Sequence, residues 1–184
     1  MQAAELEFHS VVLERASGLW PHHQLALGIR GIDAQHAWLV ALVLELEWVL
    51  HREPADADER IPTIIHHAQN YAAEHFAIEE ELFQRLHYSD GANHIRSHRN
   101  FVKTVERLSG ETRTREGVRK LYRLLRLWLV HHIQTEDRGY ADYFKKRKLI
   151  DQANAFFEEL NAERPVLDES RLHQLTRTDD GTIY

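Results

Sequence analysis

The residues best able to do chemistry in this 184-residue chain are its histidines, of which there are 14, where a domain of ordinary composition would hold roughly four. Two spacings draw attention. His75 and Glu79 are four residues apart, and so are His94 and His98; on a helix that interval stacks two side chains one turn apart on one face. An imidazole pair, or an imidazole and a carboxylate, held this way can bind one metal ion between them. His36 and His132 each fall on an apolar stripe, at positions where packing alone would place leucine or valine. A lone histidine on such a stripe is ordinarily a packed side chain with one satisfied nitrogen. Here several segments each bring one, and a carboxylate such as Glu79 among imidazoles is costly to keep charged away from water unless it meets a cation.

Five imidazoles and one or two carboxylates exceed what a single tetrahedral zinc takes, so the ligand count points to two metal ions in a nitrogen-rich, oxygen-bridged site. Iron suits that donor set best, ahead of copper and manganese. The sequence has no Glu-x-x-His, which separates it from the carboxylate-rich diiron bundles built on that motif. The absence of cysteine rules out a disulfide framework, a thiolate zinc site, an iron–sulfur cluster and a catalytic thiol.

To bring these side chains together the chain must be helical. Only four prolines and eight glycines interrupt it, and the segments between them repeat apolar residues every three or four positions. Helices are predicted over about Ile32–Leu50, Pro62–Leu86, Asn93–Ser109 and Arg115–Phe144, with the polar 54–58 stretch, the turn Tyr88-Ser89-Asp90-Gly91 and Gly110 between them. Their stripes run Ile32, His36, Leu39, Val43, Leu46, Leu50; then Ile61, Ile65, Ala68, Ala72, His75, Glu79, Leu82, Leu86; then His94, His98, Phe101, Val105, Leu108; then Val118, Leu121, Leu125, Trp128, His132. Short connections make consecutive helices antiparallel neighbours, so the expected fold is all-α, an up-down-up-down four-helix bundle. An N-terminal extension over 1–19, the bundle over 20–144 and a C-terminal extension over 145–184 complete the expected organisation. In the last of these, residues 149–164 read as an added amphipathic helix before a polar tail. That helix, with Phe156, Phe157 and Leu160, either closes the bundle or offers an interface to a protein partner or a second copy.

Trp20, Leu27-Gly28-Ile29, Ile32-Asp33-Ala34-Gln35-His36, His75-Phe76-Ala77-Ile78-Glu79-Glu80, His94 to Phe101, and Trp128 to Ile133 with Asp137 and Tyr140 together resemble the bacterial hemerythrins, a family of oxygen-binding diiron proteins. The resemblance covers about Trp20 to Phe144. It implies that His94, His98 and His132 bind one iron, that His36 and His75 bind the other, and that Glu79 and Asp137 bridge them beside an oxo or hydroxo group. One coordination position then stays open on the two-histidine iron, where dioxygen would bind reversibly. By the same correspondence Leu39, Phe76, Trp128 and Ile133 line a dry oxygen pocket, and Trp20 and Tyr140 stand outside the ligands. The chain departs from the family pattern at Phe83, where methionine is common, and at Gln134, whose entry into the pocket would argue against pure oxygen carriage.

Asp137 sits awkwardly on the helical period. It is five residues beyond His132, about 140° around a regular helix, whereas Glu136 at four residues stays on the stripe. Regular geometry selects Glu136 and the family pattern Asp137, which together imply a backbone irregularity near Arg138-Gly139.

The expected function is therefore reversible dioxygen binding for carriage, storage or delivery, without enzymatic turnover. Two alternatives stand beside it: an oxygen or redox sensor that uses the flanking extensions, and a diiron enzyme acting on peroxide, nitric oxide or a small substrate. A net charge of -6 argues against nucleic acid as a partner. No long uncharged apolar run offers a membrane span, and the first fifteen residues mix acidic and apolar positions, so the expected location is the cytoplasm. The other nine histidines (His9, His22, His23, His51, His66, His67, His87, His131, His173) are expected on solvated surface, and Lys145–Lys148 at a helix C-terminus.

Overall fold

The computed structural model describes residues 25–51, 61–112 and 114–163, and all their regular structure is helical. Four long helices carry the apolar stripes: α1 (Arg30–Leu50), α2 (Ile61–Arg85), α3 (Gly91–Ser109) and α4 (Arg115–His132). A π-helical turn, Ile133–Asp137, joins α4 to α5 (Arg138–Lys146), and α6 (Ile150–Glu163) follows. The single fourth helix expected from the sequence is thus two helices with a widened turn between them. The expected 1–19 extension, Trp20 and the tail beyond Pro165 lie outside the described residues.

The helix starts are fixed locally. Ahead of α1 the chain turns at Gly28 (φ +88°), and the Asp33 carboxylate reaches back to accept from the Leu27 and Gly28 amides at 2.7 and 3.0 Å. Thr114 caps α4, its hydroxyl accepting from the Gly117 amide at 3.1 Å. Helix α1 packs against α2 and α4, and α3 packs against both α2 and α4, so the four form a closed bundle.

The apolar stripes meet inside as two clusters. One gathers Ile29, Ile32, Leu82, Tyr140 and Phe144, the other Leu46, Val49, Ile61, Phe101 and Leu121. On α2, His75 and Glu79 fall where the second cluster gives way to the first. The stripes hold with one shift of register: Val49 rather than Leu50 is buried at the end of α1, and Ala68, Ala72, Leu125 and Trp128 are half-buried.

Helix α6 closes the bundle. Ala153, Phe156, Phe157 and Leu160 are buried in the same cluster as Ile29 and Phe144. Phe157 lies so close to α1 that a Cβ on Gly31 would come within 2.0 Å of its ring. Around this contact Arg30 pairs with Glu158 at 2.6 Å and donates its amide to Asn154 at 2.9 Å, while Arg85 pairs with Glu159 and lies over the Phe156 ring. Exposed ion pairs of this kind contribute about 0–1 kcal/mol each, so the buried phenylalanines carry most of the attachment. No helix among the described residues is long and apolar enough to cross a membrane.

Candidate metal centre

Seven side chains that sequence reasoning singled out converge inside the bundle: His36, His75, Glu79, His94, His98, His132 and Asp137, all buried, with Glu79 and Asp137 fully so. Their nitrogens and oxygens form two groups, in each of which the atoms lie within 4.8 Å of one another. His94, His98 and His132 with Glu79 make one; His36 and His75 with Glu79 and Asp137 make the other. Glu79 belongs to both. Its Oε2 lies 3.2 Å from His98 Nε2, 3.7 Å from His94 Nε2 and 3.8 Å from His75 Nε2. Asp137 also reaches both groups, with Oδ2 3.1 Å from His36 Nε2 and Oδ1 3.0 Å from His132 Nε2 and 3.2 Å from His94 Nε2.

Although these atoms are close, Glu79 Oε2, both Asp137 oxygens, His36 Nε2 and His94 Nε2 make no hydrogen bond among the described residues. Buried acceptors left this way are costly. In each group the donor atoms are gathered within 4.8 Å of one another, as donors around a cation are. Imidazole and carboxylate are the donor set of iron, zinc, copper and manganese, so the residues present fit a metal.

Asp137 enters the group because of the π-helical turn. Ile133–Asp137 carries one residue more than a regular turn, which moves Asp137 inward and leaves Glu136 half-buried, its Oε1 accepting from Ser97 Oγ at 2.9 Å. This turn, ending immediately before Arg138-Gly139, is the backbone irregularity expected near those residues.

The electrostatics show how this polar group is held without a metal. Burial pushes the Glu79 carboxyl up and the Asp137 charge adds to that, but His75 and the close approach of His94 and His98 outweigh both and leave it well below the usual range. Asp137 is likewise held low, burial being overcome chiefly by His132. In return, burial opposes protonation of His94 and His132, yet the two carboxylates raise them to about 9 and about 10. His75 goes the other way, to about 4, because burial outweighs Glu79. Protons on His94 and His132 therefore balance the carboxylates where a cation would otherwise do so.

The sequence profile of the hemerythrin HHE cation binding domain matches residues 27–144, a span that contains all seven converging residues. The chain belongs to the hemerythrin family. It is 30% identical over 122 residues to a bacteriohemerythrin of Stenotrophomonas maltophilia, covering 66% of this chain and 78% of the relative. A bacteriohemerythrin of Pseudomonas aeruginosa is 30% identical over 119 residues, 64% of this chain and 76% of that protein. A hemerythrin-like protein of Naegleria gruberi is 26% identical over 116 residues, 62% and 83% of the two chains.

Around this hemerythrin centre the outer contacts hold the imidazoles in orientation. Gln35, fully buried, accepts from His75 Nδ1 at 2.9 Å. Sequence reasoning did not assign it a role, although a glutamine directly beside His36 on an otherwise apolar helix face was a visible signal. Tyr140, fully buried, donates to Glu79 Oε1 at 2.6 Å. Phe76 stacks on His98 with ring centroids 4.0 Å apart, and Trp128 stacks on His132 at 4.1 Å and on Phe101 at 3.6 Å. These two expected pocket residues thus lie flat on imidazoles of the three-histidine group, while Phe76 also approaches His75 at 5.7 Å. Leu39 and Ile133 are buried. Phe83, at the position where methionine was expected, packs edge-on against His94 at 4.8 Å and against Tyr140 at 5.0 Å. Gln134 is exposed, so it does not enter the pocket.

Of the remaining histidines, His51, His66, His87 and His131 are exposed and His67 is half-buried. His9, His22, His23 and His173 lie outside the described residues. Lys145–Lys148 are exposed at the end of α5, as expected.

Proposed function

We propose that this domain is a diiron site that binds dioxygen reversibly, for carriage, storage or delivery rather than turnover. His94, His98 and His132 would hold one iron, His36 and His75 the other, and the carboxylates of Glu79 and Asp137 would serve both. The observation that carries this reading is the sharing of carboxylates: Glu79 belongs to both donor groups, and the two oxygens of Asp137 divide between His36 and the His94/His132 pair. When bound, the two irons would supply the electrons and the binding position for dioxygen.

The chain's own residues orient and dry the site. Gln35 fixes the ring of His75 so that Nε2 faces inward. Tyr140 holds one oxygen of Glu79 and leaves the other facing the imidazoles. Leu39, Phe76, Trp128 and Ile133 form the apolar wall that keeps water, and with it proton-assisted oxidation, away from the irons. An up-down-up-down course of α1 to α4 over residues 20–144, flanked by 1–19 and 145–184, is the arrangement that delivers a ligand set from every helix. A sensing role has one observation in its favour: α6 packs into the same apolar cluster as Tyr140, so a change at Glu79 has a route to the C-terminal helix.

Anaerobic loading with ferrous iron, metal analysis and optical spectra through alternating air and argon test the proposal. Two irons per chain and a visible band that comes and goes with oxygen are expected. Uptake of fewer than two irons would overturn the site assignment. Irreversible conversion to the ferric form at first exposure to air would overturn carriage and leave redox sensing.

A further inference from the structure

The two donor groups differ in what stands behind them. In each imidazole assigned to iron through Nε2, the ring's remaining proton sits on Nδ1 and is offered outward. On the three-histidine side two of those outward nitrogens lie near carboxylates without a hydrogen bond to them: His132 Nδ1 is 3.4 Å from Glu136 Oε2, and His98 Nδ1 is 3.7 Å from Glu80 Oε1. Glu136 is itself anchored by Ser97. On the two-histidine side His75 Nδ1 meets the neutral amide oxygen of Gln35, and His36 Nδ1 has no hydrogen-bond partner among the described residues.

A carboxylate within about 4 Å behind a ligating imidazole favours the positive charge that the ring takes up on binding a metal, which a neutral amide does more weakly. Since Glu79 and Asp137 serve both groups, they do not distinguish the two positions. We infer that the two metal positions fill in order, the three-histidine position first, and that Glu80 and Glu136 are the positioning residues that set this order. The inference rests on the diiron reading and adds a role for two acidic residues that contribute no ligand to it.

The test is an anaerobic titration of the metal-free protein with cobalt(II), followed by calorimetry and by visible absorption. Two resolved binding steps are expected, the tighter one kept in His36→Ala and lost in His98→Ala. Glu136→Gln and Glu80→Gln should each weaken the tighter step by about 10–100-fold and leave the weaker step largely unchanged. Gln35→Glu, which places a carboxylate behind His75, should strengthen the weaker step, an effect that a merely structural role for these residues does not produce. Unfolding midpoints of the metal-free variants show whether each is folded. Two ions taken up in a single step, or equal weakening of both steps by Glu136→Gln and Glu80→Gln, would overturn the ordering while leaving the diiron reading intact. Fewer than two ions bound by the unaltered chain would overturn both.

Discussion

Tyr140 donates its phenol proton to Glu79 Oε1 across 2.6 Å, with both side chains fully buried. Burial, and then the charges of Glu79 and Asp137, hold the phenol well above its ordinary pKa, so it stays a donor throughout the physiological range. Tyr140→Phe would leave a buried carboxylate oxygen without its donor, at a cost of about 1–3 kcal/mol. The expected result is a melting temperature lower by roughly 2–12 °C in the metal-free protein, with weaker metal binding. Unchanged melting and unchanged affinity would show that this hydrogen bond does not support Glu79.

The π-helical turn invites a deletion. Removing Thr135, an exposed residue whose hydroxyl donates back to the His131 carbonyl at 2.7 Å, would make the turn α-helical. Asp137 would then stand four residues from His132, on the regular stripe. The deletion variant should keep its helical circular dichroism and its metal stoichiometry, whereas Asp137→Ala should cripple iron loading more than Glu136→Ala does. Loss of metal binding in the deletion variant would mean that the widened turn supplies more than register.

The pH dependence of the metal-free protein follows from the histidines. His94 and His132 are raised to about 9 and about 10, so the stability they contribute is full below pH 6.5 and is lost as pH rises through those values. His75 is lowered to about 4, so its contribution is present above pH 6.5 and is lost as pH falls toward 4. Melting temperature should therefore peak near neutral pH. Iron replaces the protons on His94 and His132, so loading should flatten the alkaline decline. Melting curves from pH 4 to 10 with and without iron check this, and a metal-free protein that grows more stable between pH 7 and 10 would contradict it.

Gly31 and Phe157 make the close contact between α1 and α6. Gly31→Ala forces a methyl against the ring and should cost about 1–3 kcal/mol through overpacking. Because α6 carries none of the seven converging residues, metal stoichiometry should survive while trypsin cuts faster at Lys145–Lys148. Limited proteolysis and metal analysis of the same variant separate the two effects. Loss of metal uptake would show that α6 supports the centre itself.

Much of the fold was legible because one physical pattern repeats through the chain. Apolar residues at the helical period placed the first three long helices and the start of the fourth to within a few residues, though not the break after His132, and the histidines that broke those stripes are the ones buried at the centre. Gln35 escaped because a glutamine carries no chemistry of its own at a metal site; its part depends on His75, forty residues away in sequence. The fate of Phe156 and Phe157 was equally open. An amphipathic helix announces that it has an apolar face and says nothing about what covers it.

The sequence by itself determined the helices, their buried faces and the donor types, since periodicity and residue chemistry are local properties. Tertiary structure decided which of two adjacent acids turns inward. At regular helical spacing Glu136 would have faced the centre; the extra residue in the turn gives that place to Asp137 and leaves Glu136 behind His132. The gain from burying α5 against the bundle and setting Asp137 among His36, His94 and His132 is spread over several helices, which is why a one-helix projection points to the wrong acid.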